Sequence, residues 1–191
     1  MFKFLWMDTE TTGLDPKEND VIQVAALAEI IVNGESSVFE FIRNIRPFNF
    51  DSITDKSLAV HGIAKQDMEG FAPGDEVYYE FKKFLSQYVD PYNRNDKFVL
   101  CGQNVDFDCQ FISSFFLKNN DPYWFSFIRS AFLDLRQICL MYELRRQEFI
   151  FPNYKLQTVC NVLKVDLEGA HDALVDVRAT RECILKLYSK I

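Results

Sequence analysis

The sequence has little of what would point to a function at once. It holds 21 lysines and arginines against 28 aspartates and glutamates, so its formal net charge is −7. That balance argues against a protein that coats nucleic acid through bulk positive charge. Seven glycines and 6 prolines exclude a collagen-like or low-complexity chain, and a hydrophobic share of 48% excludes intrinsic disorder. A length of 191 residues predicts a single domain over residues 1–191.

Membrane and export signals are also missing from the sequence. The longest apolar stretch, residues 21–32, is interrupted by Gln23 and Glu29 and is too short to cross a bilayer. The apolar N-terminus meets an acid at Asp8, so it lacks a signal-peptide core. None of the 5 cysteines forms a C-x-x-C pair, which argues against a zinc ribbon or redox motif. We expect reduced core thiols, a cytoplasmic location and no membrane partner.

The hydrophobic pattern predicts strands first, and then strands that alternate with helices. Strands are expected at residues 2–10, 21–32 and, after the hairpin signal at 33–34, about 37–45. Short strands follow at 98–101 and 132–133. The pattern predicts an α/β fold with a mixed sheet, an antiparallel three-stranded meander followed by short parallel strands, flanked by helices. The helices are expected at about 54–60, 73–88, 106–118, 134–142, 155–163 and 172–191.

Two acids end the first predicted strand. Strand residues two apart point to the same face, so Asp8 and Glu10 share a face with Phe4 and Trp6. Two like charges side by side in an apolar strand are costly unless they are protonated or bind a cation. Taken alone, the pair fits equally well a strand that surfaces at its end, with both acids in water.

A third acid lies in the segment that follows the strand at 98–101 and opens a helix. At 100° per residue, Asp108 falls in line with Phe111 and Phe115, whereas Asp106 falls on the opposite side. An acid in the first turn of a helix commonly interacts with the positive end of the helix dipole. This interpretation fits Asp106 well and Asp108 poorly. We therefore expect Asp106 in solvent and Asp108 facing the interior.

The last predicted helix has an acid on its apolar border and a histidine just ahead of it. Asp176 borders the apolar stripe, and Asp172 fits an N-cap. His171 then lies on a loop that can bring it beside Asp176. A histidine at a helix start is more often structural, but this one is among only 2 in the chain and lies five residues from a half-buried acid.

Together these segments place four carboxylates and one histidine at strand ends or on inner helix faces. Carboxylates are suitable ligands for Mg²⁺ or Mn²⁺, whereas a zinc site would contain more histidine or cysteine. Four acids can neutralise two divalent ions, which form a site for in-line attack at phosphorus. The histidine could take the proton from water. The residues are Asp8, Glu10, Asp108, Asp176 and His171.

With these residues in view, the sequence resembles the DEDDh 3′–5′ exonucleases of the ribonuclease H-like superfamily. It is most similar to the proofreading epsilon subunit of bacterial DNA polymerase III and its relatives. The family motifs appear as Asp-Thr-Glu-Thr-Thr-Gly-Leu at 8–14, Asn-Val-Asp-Phe-Asp at 104–108 and His-Asp-Ala-Leu-Val-Asp at 171–176. Residues 60–63 and 154–156 are also similar, so the resemblance covers essentially the whole chain.

The resemblance implies a ribonuclease H-like fold and release of nucleoside 5′-monophosphates from a free 3′ end, with single-stranded DNA preferred. Asp8, Glu10, Asp108 and Asp176 would bind two divalent ions, Mg²⁺ or Mn²⁺, and His171 would be the general base. Stacking on aromatic side chains and metal contact to one phosphate would suffice for the DNA partner, without a broad basic surface.

The resemblance also implies a set of substrate contacts. The backbone around Thr11 and Thr12 would meet the 3′-terminal nucleotide, and Leu14 would pack against its base. His61 would line the same pocket, although a structural role as a histidine that caps a turn explains it equally well. Gln103 departs from the histidine that many relatives have before Asn104, but it can still hydrogen-bond. Candidates for trailing-strand contact, against the simpler interpretation of surface charge, are Arg136, Arg145, Arg146 and Arg178.

Two other functions stay open at this level. An RNA-trimming exoribonuclease of the same family, similar to oligoribonuclease or RNase T, shares the catalytic set. A non-catalytic module bound to a polymerase would not need the intact acids. Because the predicted last helix reaches Ile191, we expect no C-terminal docking extension and at most a weak association with a polymerase.

Overall fold

The computed structural model describes residues 1–190, and these contain one five-stranded mixed sheet. Its strands are β1 (Phe2–Thr11), β2 (Val21–Val32), β3 (Glu35–Asn44), β4 (Phe98–Gly102) and β5 (Ile128–Asp134). They lie in the order β3-β2-β1-β4-β5. β1 and β3 pair antiparallel with β2, whereas β4 pairs parallel with β1 and β5. The predicted meander and parallel strands are confirmed.

Helices cover both faces of the sheet. Within residues 1–190 they are α1 (Asp55–His61), α2 (Gly74–Ser86), α3 (Val105–Lys118), α4 (Leu135–Arg146), α5 (Leu156–Leu163) and α6 (Ala173–Tyr188), with 3₁₀ turns at Phe50–Ser52, Asp67–Gly70 and Trp124–Ser126. α2 and α3 share one hydrophobic core with the sheet, and α4, α5 and α6 share the other. None of these helices combines the length and the apolar character needed to cross a bilayer.

Three predicted boundaries differ from the structure by three residues or more. β5 extends over Ile128–Asp134 instead of 132–133, because its residues 129–131 are exposed on a sheet edge and give no apolar signal. α4 continues to Arg146, where Gln147 turns left-handed at φ 55°. α6 ends at Tyr188, and the predicted helical end at Ile191 lies outside the described residues.

The two faces of β1 explain how acids come to lie at its end. Leu5 and Met7 pack in the core beneath α2 and α3, whereas Trp6 packs in the core beneath α4–α6. Asp8 and Glu10 continue the face of Trp6 to the carboxyl end of the strand, as the alternation predicts. A bulge between Glu10 and Thr11 interrupts the pairing with β2 there, so the strand end opens towards a cleft.

Candidate active site

The end of β1 supplies the floor of the site. Asp8 is half-buried and Glu10 is 8% exposed. In the antiparallel register Asp8 lies opposite Ala25, and Glu10 lies opposite Gln23. Ala25 belongs to the same buried core as Ala173 at the start of α6.

Asp108 reaches the same place from the other side of the sheet. It lies in the first turn of α3 and is 3% exposed, whereas Asp106 is exposed and hydrogen-bonds Gln110, as the helical spacing predicts. Thr9 fixes the Asp108 carboxylate, because its backbone N and its Oγ1 donate to Oδ1 at 2.9 and 2.8 Å.

α6 brings the fourth carboxylate and the histidine. Asp172 caps this helix by accepting from Leu174 N and Val175 N, which confirms its predicted role. His171 is exposed and left-handed at φ 70°, and its backbone N donates to Asp176 Oδ2 at 3.3 Å. Ligand atoms of Glu10, His171 and Asp176 lie within 4.8 Å of one another.

One open cleft of about 490 Å³ collects all five predicted catalytic side chains. Gln103 and Asn104 line the same cleft, together with Phe107 and Lys155. Within residues 1–190, no lysine or arginine forms a salt bridge with any of the four carboxylates. The cleft therefore concentrates negative charge that the protein itself leaves uncompensated.

Burial and mutual repulsion raise the pKa values of these acids. Loss of water and repulsion from Asp108, Glu10 and Asp176 hold the pKa of Asp8 well above its ordinary value. Burial, followed by repulsion from Asp176, raises the pKa of Glu10 to about 8. Burial also raises the pKa of Asp108 to about 7, against the opposing effect of the Thr9 hydrogen bonds, and it raises that of Asp176.

The donor set fits hard divalent cations. The four acids offer carboxylate oxygens, the ligands that Mg²⁺ and Mn²⁺ prefer. Asp176 Oδ1 is buried and has no hydrogen-bond partner within the described residues. A buried acceptor left without a donor is costly, and a cation satisfies it.

Glu10→Gln is expected to stabilise the metal-free protein at alkaline pH. Below about pH 4.5, Glu10 is protonated in the folded and unfolded states, and the substitution changes little. Between about pH 4.5 and pH 8 the unfolded chain loses the Glu10 proton while the folded protein keeps it, so the stability of the wild type falls across this range and levels off above pH 8. The free energy of unfolding of Glu10→Gln should exceed that of the wild type by up to about 5 kcal/mol at pH 9 and by nearly nothing at pH 4.

Denaturant titration in excess chelator at both pH values measures this gain. Glu148→Gln, which neutralises an exposed acid outside the cleft, is the matched control and should change stability little at either pH. A parallel fall of the wild type and Glu10→Gln from pH 5 to pH 9 would show that Glu10 is not strained in the metal-free protein.

A second cavity of about 160 Å³ adjoins the cleft, and the two share Thr9, Glu10 and Phe107. Thr11 and Leu14, both predicted as substrate contacts, line this second cavity. Its walls are largely apolar. Leu14 is 70% exposed on its rim, so its side chain is free to contact a ligand.

His61 lines the second cavity and presents a donor to it. Its Nδ1 accepts from Ile63 N at 3.0 Å, so the neutral ring carries its proton on Nε2. That atom is buried and has no hydrogen-bond partner within the described residues. Burial, with a smaller contribution from His171, lowers the pKa of His61 and favours this neutral form. The His61 ring therefore has both of the roles considered for it from the sequence, since it binds the backbone of a turn and also lines the pocket.

Thr12 is the one predicted substrate contact that lines neither cavity. It is fully buried, and its backbone N donates to Asp20 O at 2.9 Å. Its carbonyl accepts from Thr54 N and Ser57 Oγ, each at 2.9 Å. Its backbone is thus engaged inside the protein, where it holds the start of α1, and a contact between a nucleotide and the backbone around Thr11 and Thr12 stays a prediction.

Sequence reasoning missed three residues of the site. Thr9 was hidden because it lies between two acids on the opposite strand face, although a polar residue on a core face was a signal. Phe107 lines both cavities from between the two helix faces of Asp106 and Asp108. Lys155 lines the cleft from the loop whose Tyr154 O accepts from Gln103 Nε2 at 2.9 Å.

Curated proteins similar to this chain include DNA polymerases. The PolC-type DNA polymerase III of Halalkalibacterium halodurans is 26% identical over 188 residues, which are 97% of this chain and 11% of that protein. The DNA polymerase III subunit epsilon of Rickettsia felis is 24% identical over 186 residues, or 95% and 72% of the two chains. The chain thus spans about a tenth of the length of its PolC-type relatives.

Solved structures show the same fold. The E. coli exonuclease I complex with a dT13 oligonucleotide has a TM-score of 0.75 and 20% identity, over 99% of this chain and 41% of that one. Exonuclease I from Methylocaldum szegediense has a TM-score of 0.77 and 20% identity, over 100% and 41%. These likenesses confirm the predicted ribonuclease H-like fold. The RNase T exonuclease family matches residues 5–183, so the chain belongs to this family and the prediction of an exonuclease is confirmed.

Proposed function

We propose that this protein is a metal-dependent 3′–5′ exonuclease that removes nucleoside 5′-monophosphates from single-stranded DNA. The observation that carries the proposal is the pairing of two cavities. An acidic cleft containing Asp8, Glu10, Asp108, Asp176 and His171 adjoins a smaller apolar cavity with a buried imidazole donor. A small pocket beside a phosphate-cleaving site suits removal of a terminal residue.

The smaller cavity would hold the 3′-terminal nucleoside. Leu14 and Val60 would offer apolar surface to the base, and Phe107 lines both this cavity and the cleft. His61 Nε2–H points at a buried position where a sugar or phosphate oxygen would satisfy it. These groups bind and orient the chain end so that its last phosphodiester lies over the carboxylates.

Asp8, Glu10, Asp108 and Asp176 would hold two divalent cations, Mg²⁺ or Mn²⁺. When bound, the cations supply Lewis-acid stabilisation of charge at the phosphate and lower the pKa of the attacking water. The raised pKa values of the metal-free acids support this assignment, because bound cations would relieve the repulsion among the carboxylates.

His171 would act as the general base. It lies on the exposed rim, next to Glu10 and Asp176, where it can take a proton from water and pass it to solvent. The hydrogen bond from its backbone to Asp176 fixes its loop, while the imidazole stays accessible.

Contacts to the rest of the DNA strand would come from a few cations. Lys155 lines the cleft and, within residues 1–190, forms no salt bridge. Among the arginines considered for this role, Arg136 and Arg178 are exposed but already pair with Asp134 and Glu40, respectively. Arg145 and Arg146 line neither cavity. Lys155 is therefore the better candidate for a phosphate contact.

The relatives support DNA as the substrate. Several are named as DNA polymerases, and a structural neighbour was solved with dT13. A weak polymerase association, a cytoplasmic site of action and one exonuclease domain over residues 1–191 are further parts of the proposal, and the polymerase names of the relatives support the association. An RNA-trimming activity remains the competing substrate class, because the carboxylates and His171 serve either nucleic acid.

Matched DNA and RNA oligonucleotides of one sequence, digested with Mg²⁺ or Mn²⁺, separate the two substrate classes. DNA should be shortened faster than RNA, with nucleoside 5′-monophosphate as the product. Faster digestion of RNA would replace the proposal with an RNA-trimming function. Equal loss of substrate with wild type, Asp8→Ala and His171→Ala would show that the cleft is not the active site.

A further inference from the structure

The first amide of α6 is bound by a side chain from the sheet. Ala173 N donates to Gln23 Oε1 at 2.9 Å, across 150 positions of sequence, and both residues are buried. The next two amides of the helix are bound by Asp172. A sheet residue therefore completes the capping of the helix that carries Asp176.

Gln23 lies in a row of polar residues that crosses three strands. In the sheet register Glu10 of β1 lies opposite Gln23, which lies opposite Asn44 of β3. Residues opposite each other on neighbouring strands project to the same face. Gln23 is thus the immediate neighbour of Glu10 on the side where α6 packs, although it does not line the cleft.

The orientation of the Gln23 amide is fixed at both ends. A backbone N–H can only donate, so the atom that faces Ala173 N must be the oxygen. The amide nitrogen of Gln23 then donates to Asn44 Oδ1 at 2.9 Å. An apolar side chain at this position would leave the Ala173 amide buried without an acceptor, and the helix start would shift to recover one.

Such a shift would move the groups that surround Glu10. Asp176 lies one turn into α6, and its Oδ2 accepts from the His171 backbone. Glu10, His171 and Asp176 come together only where the end of β1 meets this helix start. We infer that Gln23, supported by Asn44, is a positioning residue that holds Asp176 and His171 in register with Glu10. The expected effect of Gln23 on kcat rests on the proposed function. Its expected effect on the start of α6 in the metal-free protein does not.

Gln23→Met, which keeps the length of the side chain and removes both hydrogen bonds, tests the inference. In the metal-free protein, amide hydrogen exchange at Ala173 should accelerate by about 10-fold. Mn²⁺ affinity, measured by calorimetry, should weaken by about 10-fold or more. The kcat on single-stranded DNA should fall by about 10²-fold, with a smaller change in KM.

Tyr78→Phe is the matched control. It also removes a buried side-chain hydrogen bond, from Tyr78 OH to Asp121 Oδ2 at 2.6 Å, but in the core beneath α2 and α3. It should leave Ala173 exchange, Mn²⁺ affinity and kcat near wild-type values. Unchanged exchange and Mn²⁺ affinity in Gln23→Met, or equal changes in Tyr78→Phe, would overturn the inference.

Asn44→Ala decides the question if Gln23→Met does not fold, because Asn44 is exposed and its loss frees one end of the Gln23 amide. Mn²⁺ affinity should then fall by about 3-fold with faster Ala173 exchange, and wild-type values of both would overturn the inference. A wild-type protein without nuclease activity would contradict the proposed function, whereas the exchange and Mn²⁺ measurements would still decide the role of Gln23.

Discussion

Asp8→Asn is expected to lower kcat on single-stranded DNA by about 10³-fold or more. Asp8 is repelled by Asp108, Glu10 and Asp176, which places its carboxylate among all the other acids of the cleft. Asparagine preserves the shape of the side chain but removes the charge that would bind a cation. Single-turnover rates at saturating Mg²⁺ measure the loss, and unfolding of the metal-free protein shows whether the fold is intact.

The metal-free Asp8→Asn protein should be at least as stable as the wild type, because the change relieves repulsion. Asp106→Asn is the matched control, since it neutralises an exposed acid whose carboxylate accepts from Gln110. That variant should retain kcat within about two-fold, as surface substitutions usually do. Substantial activity in Asp8→Asn, or an equal loss in Asp106→Asn, would contradict the assignment of the cleft.

His171→Ala is expected to lower kcat by about 10²- to 10⁴-fold, the range of general-base catalysis, with little change in KM. Because His171 is exposed on the cleft rim, added imidazole should reach the vacated position and restore part of the rate. The value of kcat, with and without imidazole, is the measurement.

Mn²⁺ affinity distinguishes a general base from a metal ligand at His171. Both roles are open because a ring nitrogen of His171 lies within 4.8 Å of carboxylate oxygens of Glu10 and Asp176. If His171 is a general base, the Mn²⁺ affinity of His171→Ala should stay near the wild-type value. If affinity instead falls in proportion to kcat and imidazole restores nothing, His171 is a metal ligand and the proton acceptor lies elsewhere.

Local patterns predicted the parts of the site that depend on one element at a time. The alternation of β1 placed Asp8 and Glu10 on the face of Trp6, and the helical angle separated Asp108 from Asp106. The N-cap at Asp172 fixed where α6 begins, and therefore how His171 precedes it. In each case the side-chain direction follows from backbone geometry over a few residues.

Contacts between segments that are distant in sequence could not be predicted from such local patterns. Thr12 resembles a substrate contact in the motif, but its backbone is bonded to Asp20 and Thr54 of neighbouring loops. The hydrogen bond from Ala173 to Gln23 spans 150 positions and leaves no periodic trace. β5 lies on a sheet edge, where exposed residues remove the apolar signal of a strand. Such features are set by packing, not by local sequence.

Digestion of a 5′-labelled single-stranded DNA with a free 3′ end is the decisive test of the proposed exonuclease activity. With Mg²⁺, we expect a ladder shortened one nucleotide at a time from the 3′ end, nucleoside 5′-monophosphate as the released product, and no reaction in excess chelator. A circular single strand of the same sequence should stay intact. Cleavage of the circle, removal of the 5′ label as the first product, or full activity in chelator would contradict the account.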